Sequence, residues 1–336
     1  MNNMDYIDLI KKSVIRSDKQ GYAMYFKFNN FEYSECKNVL NIDDEKREDI
    51  TLDSHFRLAS VTKQFIALGI IKLVLKGKLS FDTCIKDLYP DFPKYFEKIK
   101  LINLLNHSSG IYDYEDWEHE ENAPQVLDRE IIDFLKQTKG TYFEPGTKYQ
   151  YSNTAYVLMA DIIEDVSGLK LDKYMQEEVF DPANLKDTYV NYQGITDIPH
   201  RAYGHILQED GSIVMKDQYW CSATIGDGGL YSTVNDLKKW IDFYLSDKAK
   251  YLYDTMFTKQ METVKNNYYG MGMRTVVLDN GKEFYYHCGS TIGTNTIILF
   301  SKDYDIRCIF LTNLGNTDTA KIKDVITDIL NKLGSN

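Results

Sequence analysis

The sequence lacks any long apolar run. Its longest, Phe65 to Leu75, is interrupted by Lys72 and falls far short of the ~20 residues a membrane-spanning helix needs. Met1 to Gln20 places acidic residues early and contains no apolar core of the kind an export signal requires. The expectation is a soluble, cytoplasmic chain. Basic runs are missing too. Thirty-nine Lys and Arg against 50 Asp and Glu leave a net charge of −11. Such a chain gains nothing from counterion release, so nucleic acid and anionic membranes are poor partners. Cysteine is sparse: Cys36, Cys84, Cys221, Cys288 and Cys308 are widely spaced and form no CxxC. That pattern argues against a disulfide framework or a zinc site and suits a reducing compartment. The sequence has no G-x-S-x-G elbow, Walker P-loop, H-E-x-x-H or dinucleotide fingerprint, and Gly226-Asp227-Gly228-Gly229 is too weak alone to imply phosphate binding. No cofactor and no metal are expected.

What is present reads as a mixed fold. With 43% hydrophobic and 26% charged residues in 336, the chain can bury the core of one large domain or two interlocked ones, and its oligomeric state stays open. Tyr22–Phe28 and Phe31–Leu40 are aromatic, β-prone runs separated by Asn29-Asn30. They predict a hairpin, because Asn tolerates the positive φ of a tight turn. Ile42 to Ile50 reads as a charged connector. From Thr62 the period changes: Ile66, Ile70, Leu73 and Val74 recur at helical spacing, with Gly77 placed to end the helix. Glu130–Thr138, Ala155–Val166 (closed by Gly168) and Asn235–Leu245 (opened by Thr233 and Asp236) read as further helices. Tyr268–Leu278, Glu283–His287, Asn295–Phe300 and Ile306–Leu311 read as strands, and Thr319–Leu333 as an amphipathic helix. Strands at both ends with helices between them predict one sheet built from both termini. Residues 1–60 and 255–336 would carry that sheet around a mainly helical 61–254, in one integrated domain.

Three motifs carry possible chemistry. Ser60-Val61-Thr62-Lys63 heads a helix, where residues three apart share a face. A serine hydroxyl is a weak nucleophile without an adjacent base, and a lysine serves if burial or neighbouring cations lower its pKa. The spacing recurs at Ser34/Lys37 and Ser167/Lys170, but the first pair lies in a strand and the second follows a helix. The competing reading of Ser60 is a plain helix cap. Tyr151-Ser152-Asn153 lies in a short loop before a helix. A tyrosine there can relay a proton and an asparagine can donate to a carbonyl; alternatively Asn153 caps the helix and Tyr151 only packs. His287-Cys288-Gly289-Ser290 closes a strand, where a glycine lets another backbone approach closely. Read singly, His287 is a half-buried strand histidine.

Taken in order, Ser-x-x-Lys, Tyr-x-Asn and His-x-Gly resemble the serine β-lactamase and penicillin-binding-protein superfamily. The branch they resemble holds class C β-lactamases, D-alanyl-D-alanine carboxypeptidases and family VIII esterases. FRLASVTKQF (Phe56–Phe65), LLNHSSGI (Leu104–Ile111), FEPGTKYQYSNTAYVLMADIIEDVSG (Phe143–Gly168) and GDGGLYSTVNDLKKW (Gly226–Trp240) look like that branch's blocks. The resemblance implies an α/β (α+β) β-lactamase/transpeptidase-like fold: an antiparallel sheet of both termini, flanked by helices, plus an all-helical region. It implies Ser60 as acylated nucleophile, Lys63 as its activator, and Tyr151 as general base or as that base's hydrogen-bonded partner. Asn153 would hold the substrate's amide. His287 would contact the substrate carboxylate or the Tyr151 hydroxyl, on a strand that Gly289 and Ser290 continue along the cleft. The backbone amides of Ser60 and Ser290 would form the oxyanion hole. Class C β-lactamases carry lysine where this chain has His287, which argues against a specialised β-lactamase. The implied activity is hydrolysis of a β-lactam, ester or D-amino-acid peptide through an acyl-serine. The alternative is a penicillin-binding sensor that is acylated and deacylates slowly. Cys288 replaces a small residue of the family pattern, and its plain reading is a buried thiol.

Overall fold

Strand Tyr22–Phe28 is buried through most of its length, and apolar side chains on both of its faces need cover from two sides. In the computed structural model, which describes residues 3–43, 48–120 and 123–334, that cover organises the fold. The central sheet has eight strands: β1 (Tyr22–Phe28), β2 (Phe31–Lys37), β3 (Met261–Val264), β4 (Asn267–Tyr269), β5 (Arg274–Val277), β6 (Glu283–Thr291), β7 (Thr294–Ser301) and β8 (Ile306–Thr312). Their order is β2-β1-β8-β7-β6-β5-β4-β3, and every neighbouring pair is antiparallel. The amino-terminal hairpin thus adds to the edge of the carboxy-terminal meander, as the strand pattern predicts. β7 is buried at every position.

Alternation along the strands feeds two separate cores. Met24, Phe26, Ile297 and Leu299 point to one side, against Ile10 and Ile326 of two helices, Asn3–Val14 and Ala320–Gly334. Tyr25, Ile298 and Phe300 point to the other side and join the helical region through residues such as Phe65 and Trp240. That region contains the helices Lys63–Leu75, Asp128–Leu135, Asn153–Ser167 and Val234–Leu245. The first of these is apolar almost all round and is therefore sunk in the core. The last opens as expected, with the Asp236 amide donating to Thr233 Oγ1 at 3.0 Å. Among the described residues no helix is long and apolar enough to cross a membrane.

Some boundaries differ from the sequence expectation. β2 stops at Lys37, where Asn38 turns at φ +60°. The expected strand Tyr268–Leu278 is two strands, because Met271 and Met273 leave the sheet for the helical core. β6 runs on past His287 to Thr291. Part of the connector Ile42 to Ile50 lies outside the described residues.

Candidate active site

The short strand Phe56–Arg57 ends in a 3-10 turn, Ala59–Thr62, that runs directly into the helix Lys63–Leu75. Ser60 therefore sits on the tighter turn rather than in the α-helix. Residues i and i+3 eclipse there, and Lys63 Nζ donates to Ser60 Oγ at 3.1 Å. Ala59 holds φ +47°, a left-handed conformation that a Cβ disfavours, so local strain sits beside the serine. The turn is pinned to β6 and β7. Thr296 Oγ1 donates to the Leu58 carbonyl at 2.8 Å. A Cβ at Gly289 would lie well inside contact distance of that carbonyl oxygen.

Lys63 is fully buried and its three N–H bonds have three acceptors. Besides Ser60, these are Asn153 Oδ1 at 2.6 Å and the Asp227 carbonyl at 2.8 Å. Burial lowers its pKa to about 8, against an opposing pull from the carboxylates of Asp227, Glu115 and Asp113. Asp227 reaches the lysine because Gly226 packs on the Tyr156 carbonyl, where a side chain has no room. Asn153 does not cap its helix; Ser152 does, accepting the Ala155 amide at 3.1 Å. That frees the Asn153 amide for Lys63 and the cleft.

Burial pushes the Tyr151 phenol well above 10, against a smaller opposing pull from the nearby Ser60 hydroxyl, so it is neutral near pH 7. Its ring lies 4.3 Å from His107, centre to centre. His107 accepts the Ser152 amide at Nδ1, 3.0 Å away, which ties the Tyr151 loop in place. Burial, then the charges of Lys63 and Arg274, hold His107 well below 6.5. The Arg274 guanidinium lies 5.7 Å from the Tyr151 ring and 5.3 Å from that of Tyr269.

The structure brings Ser60, Lys63, Tyr151 and Asn153 together. It places His287 differently. His287 is 2% exposed, with Nδ1–H donating to the Cys288 carbonyl at 2.8 Å and Nε2 accepting from the Tyr269 hydroxyl at 3.1 Å. Both ring nitrogens are engaged inside the protein. Burial, then the charges of Arg274 and Lys63, keep it neutral well below 6.5. Its ring centre is 6.3 Å from that of Tyr151. Gly289 is the packing contact described above, and Ser290 is exposed on the cleft wall. Cys288 is only partly exposed, and its thiol is raised to about 12 by burial.

Ser60, Asn153 and Ser290 line a cleft of about 400 Å³ together with Glu115, Asp227 and Trp220. Sequence reasoning did not single out Glu115, Tyr114, Asp113 or His107. Asp113 accepts the Asn153 and Thr154 amides at 2.6 and 3.3 Å, and Tyr114 donates to Asp227 Oδ2 at 2.6 Å. Among the described residues no group of three His, Cys, Asp or Glu could hold a metal ion.

Comparison with known proteins bears on the family and the fold. The Beta-lactamase family profile matches residues 28–330. "Penicillin-binding protein 4*" of Bacillus subtilis (strain 168) is 30% identical over 291 residues, covering 80% of this chain. The chain spans 62% of the length of that relative. A penicillin-binding protein from Bacillus halodurans superposes with a TM-score of 0.81 at 23% identity, covering 98% of this chain and 100% of its own. D-amino acid amidase from Ochrobactrum anthropi SV3 superposes with a TM-score of 0.78 at 23% identity, covering 98% and 99%. These two likenesses concern the fold, which is that of β-lactamases and transpeptidases.

Proposed function

The chain belongs to the beta-lactamase family, and from that premise we propose that it is a serine hydrolase working through an acyl-Ser60 intermediate. Once the Lys63 ammonium has given up a proton, which its lowered pKa of about 8 makes accessible, the free amine takes the Ser60 proton as Oγ attacks the substrate carbonyl. The backbone amides of Ser60 and Ser290 hold the oxyanion, where each such donor is typically worth ~100–1,000-fold in rate. The proton then passes through the Tyr151 hydroxyl to the leaving nitrogen or oxygen, and water reverses the sequence to release the acid. The observation that carries this reading is the buried Lys63 amine, 3.1 Å from Ser60 Oγ with a lowered pKa. A base with a pKa near the working pH transfers protons most effectively. The raised phenol of Tyr151 supports a relay role rather than that of resting base.

The substrate class we favour is an amide or ester, including D-amino-acid amides of the kind named for the structurally similar amidase. Efficient β-lactam turnover ranks lower, because His287 is neutral and enclosed and offers no permanent charge to a carboxylate. Incubation with an activated ester or a penicillin should add one acyl group to the intact mass, and Ser60→Ala should add none. Equal labelling of the variant would refute the nucleophile assignment. An adduct that persists for hours would favour the slowly deacylating sensor.

A further inference from the structure

Two carboxylates line the cleft beside Ser60, those of Glu115 and Asp227; the Lys63 charge acts on both from a distance, but among the described residues neither forms an ion pair. Asp227 is 6% exposed. Its Oδ2 accepts from Tyr114, while its Oδ1 is buried and, among the described residues, has no hydrogen-bond partner. An orphaned carboxylate oxygen in a cleft is costly unless something bound there meets it. The neighbouring cations do not meet it. Lys63 spends its three N–H bonds on Ser60, Asn153 and the main-chain carbonyl of Asp227. Arg57 also lines the cleft; its Nε donates to the Gly228 carbonyl and its Nη1 is buried without a hydrogen-bond partner, and among the described residues no ion pair joins it to either acid. Asp113 is already occupied by the amides of Asn153, Thr154 and Glu115.

We propose that Glu115 and Asp227 form a cation subsite, which selects substrates carrying a protonated amine next to the scissile carbonyl. This deepens the hydrolase reading above and rests on it. The Trp220 and Tyr219 rings line the same cleft and suit an aromatic side chain on the same acyl group. His119 packs against Trp220 with tilted rings, their centres 4.3 Å apart, and both of its ring nitrogens are hydrogen-bonded, to the Trp117 carbonyl and the Tyr219 hydroxyl. It fixes the wall rather than competing for the ligand.

The electrostatics agree. Glu115 is exposed as a whole residue, yet its carboxyl is crowded. Partial burial and the charges of Asp227 and Asp113 raise it to about 7, while Lys63 and the nearby Asn153 side chain pull it down. The other groups around it are the Tyr114 phenol and the Cys221 thiol, both raised, and Arg57 and His119. A bound ammonium would favour the ionised carboxylate, so affinity and pH are linked. Below about pH 7 Glu115 takes up a proton and the attraction weakens. Above the ligand amine's own pKa, ~7.7–8.0 for an α-amine, the ligand loses its charge.

The test uses the Ser60→Ala protein, so that binding is read without acylation. Phenylalaninamide of either hand and its N-acetyl derivative are titrated by calorimetry at pH 7.4. The free amine of at least one hand should bind on the order of ten- to hundredfold more tightly, the range of one charge-assisted hydrogen bond. The preference should shrink at pH 6 and fall to within about twofold when Glu115→Gln is added, with Glu115→Asp restoring part of it. N-acetyl ligand binding as tightly as the amine would overturn the proposal. So would a preference that survives Glu115→Gln combined with Asp227→Asn, or no detectable binding of any of these ligands. Failure of Ser60 to label would instead sink the hydrolase reading, since the calorimetry needs no nucleophile.

Discussion

Lys63 Nζ stands 4.9 Å from the centre of the Tyr151 ring. The ring face attracts a cation, while burial disfavours one, so the phenol both steadies the ammonium and offers its hydroxyl to Ser60. The two contributions belong to different atoms of one side chain and can be separated by substitution.

Tyr151→Phe keeps the ring and removes only the hydroxyl. Turnover should fall by ~100–10,000-fold, the usual worth of a positioned proton-transfer group, with the urea midpoint close to that of the parent. Tyr151→Ala should lose as much activity and roughly 2 kcal/mol of stability as well, less than for a fully buried ring. Steady-state rates and urea curves on both proteins decide it. Parent-like turnover in Tyr151→Phe would remove the phenol from the proton path.

Gly289 marks where the sheet meets the nucleophile turn. A methyl group added there would collide with the Leu58 carbonyl oxygen and Thr296 Oγ1, and backbone cannot step aside cheaply. Gly289→Ala should cost about 1–3 kcal/mol, the scale of overpacking, and slow acylation of Ser60 by displacing its turn. Thr296→Val removes the 2.8 Å hydrogen bond to the same carbonyl without the clash. It should be milder, about 0.5–1.5 kcal/mol. If Gly289→Ala unfolds at the parental denaturant concentration, the close approach is not what the position requires.

These positions also show why some of the site was legible in the sequence and some was not. The main strands and longer helices follow from apolar periodicity, and Ser60, Lys63, Tyr151 and Asn153 sit in recognisable local patterns. The helix Asn3–Val14 carries a fainter signature, with Tyr6, Ile7, Ile10 and Val14 recurring on one helical face among charged residues. Asp227 reaches Lys63 through a main-chain carbonyl, and a main-chain acceptor leaves no residue-type signature. His107 acts on Ser152 from 45 positions away, and Glu115 lines the same cleft as Asp227 only because distant parts of the chain converge. Such contacts are products of tertiary packing. His287 illustrates the reverse: its motif stood out, but burial against Tyr269 and Cys288 alters what the imidazole can do.

That burial has a consequence for stability. His287 is held neutral in the folded protein well below its ordinary 6.5, whereas in the unfolded chain it protonates near 6.5. Between those two values the unfolded state binds the extra proton, so stability rises with pH there and is lost as pH falls below about 6.5. His287→Gln removes this titration. At pH 7.5 the variant should be the less stable protein, because it disturbs the bonds to Tyr269 and Cys288. On acidification its deficit should shrink by about 1.4 kcal/mol per pH unit below 6.5, amounting to about 2 kcal/mol by pH 5. Paired urea curves at pH 7.5, 6 and 5 measure the deficit directly, and taking the difference between the two proteins cancels the opposing titration of the raised carboxyls of Asp113, Glu115 and Asp128. A deficit that stays constant across this range would mean that His287 protonates equally well folded and unfolded, and is not enclosed as described.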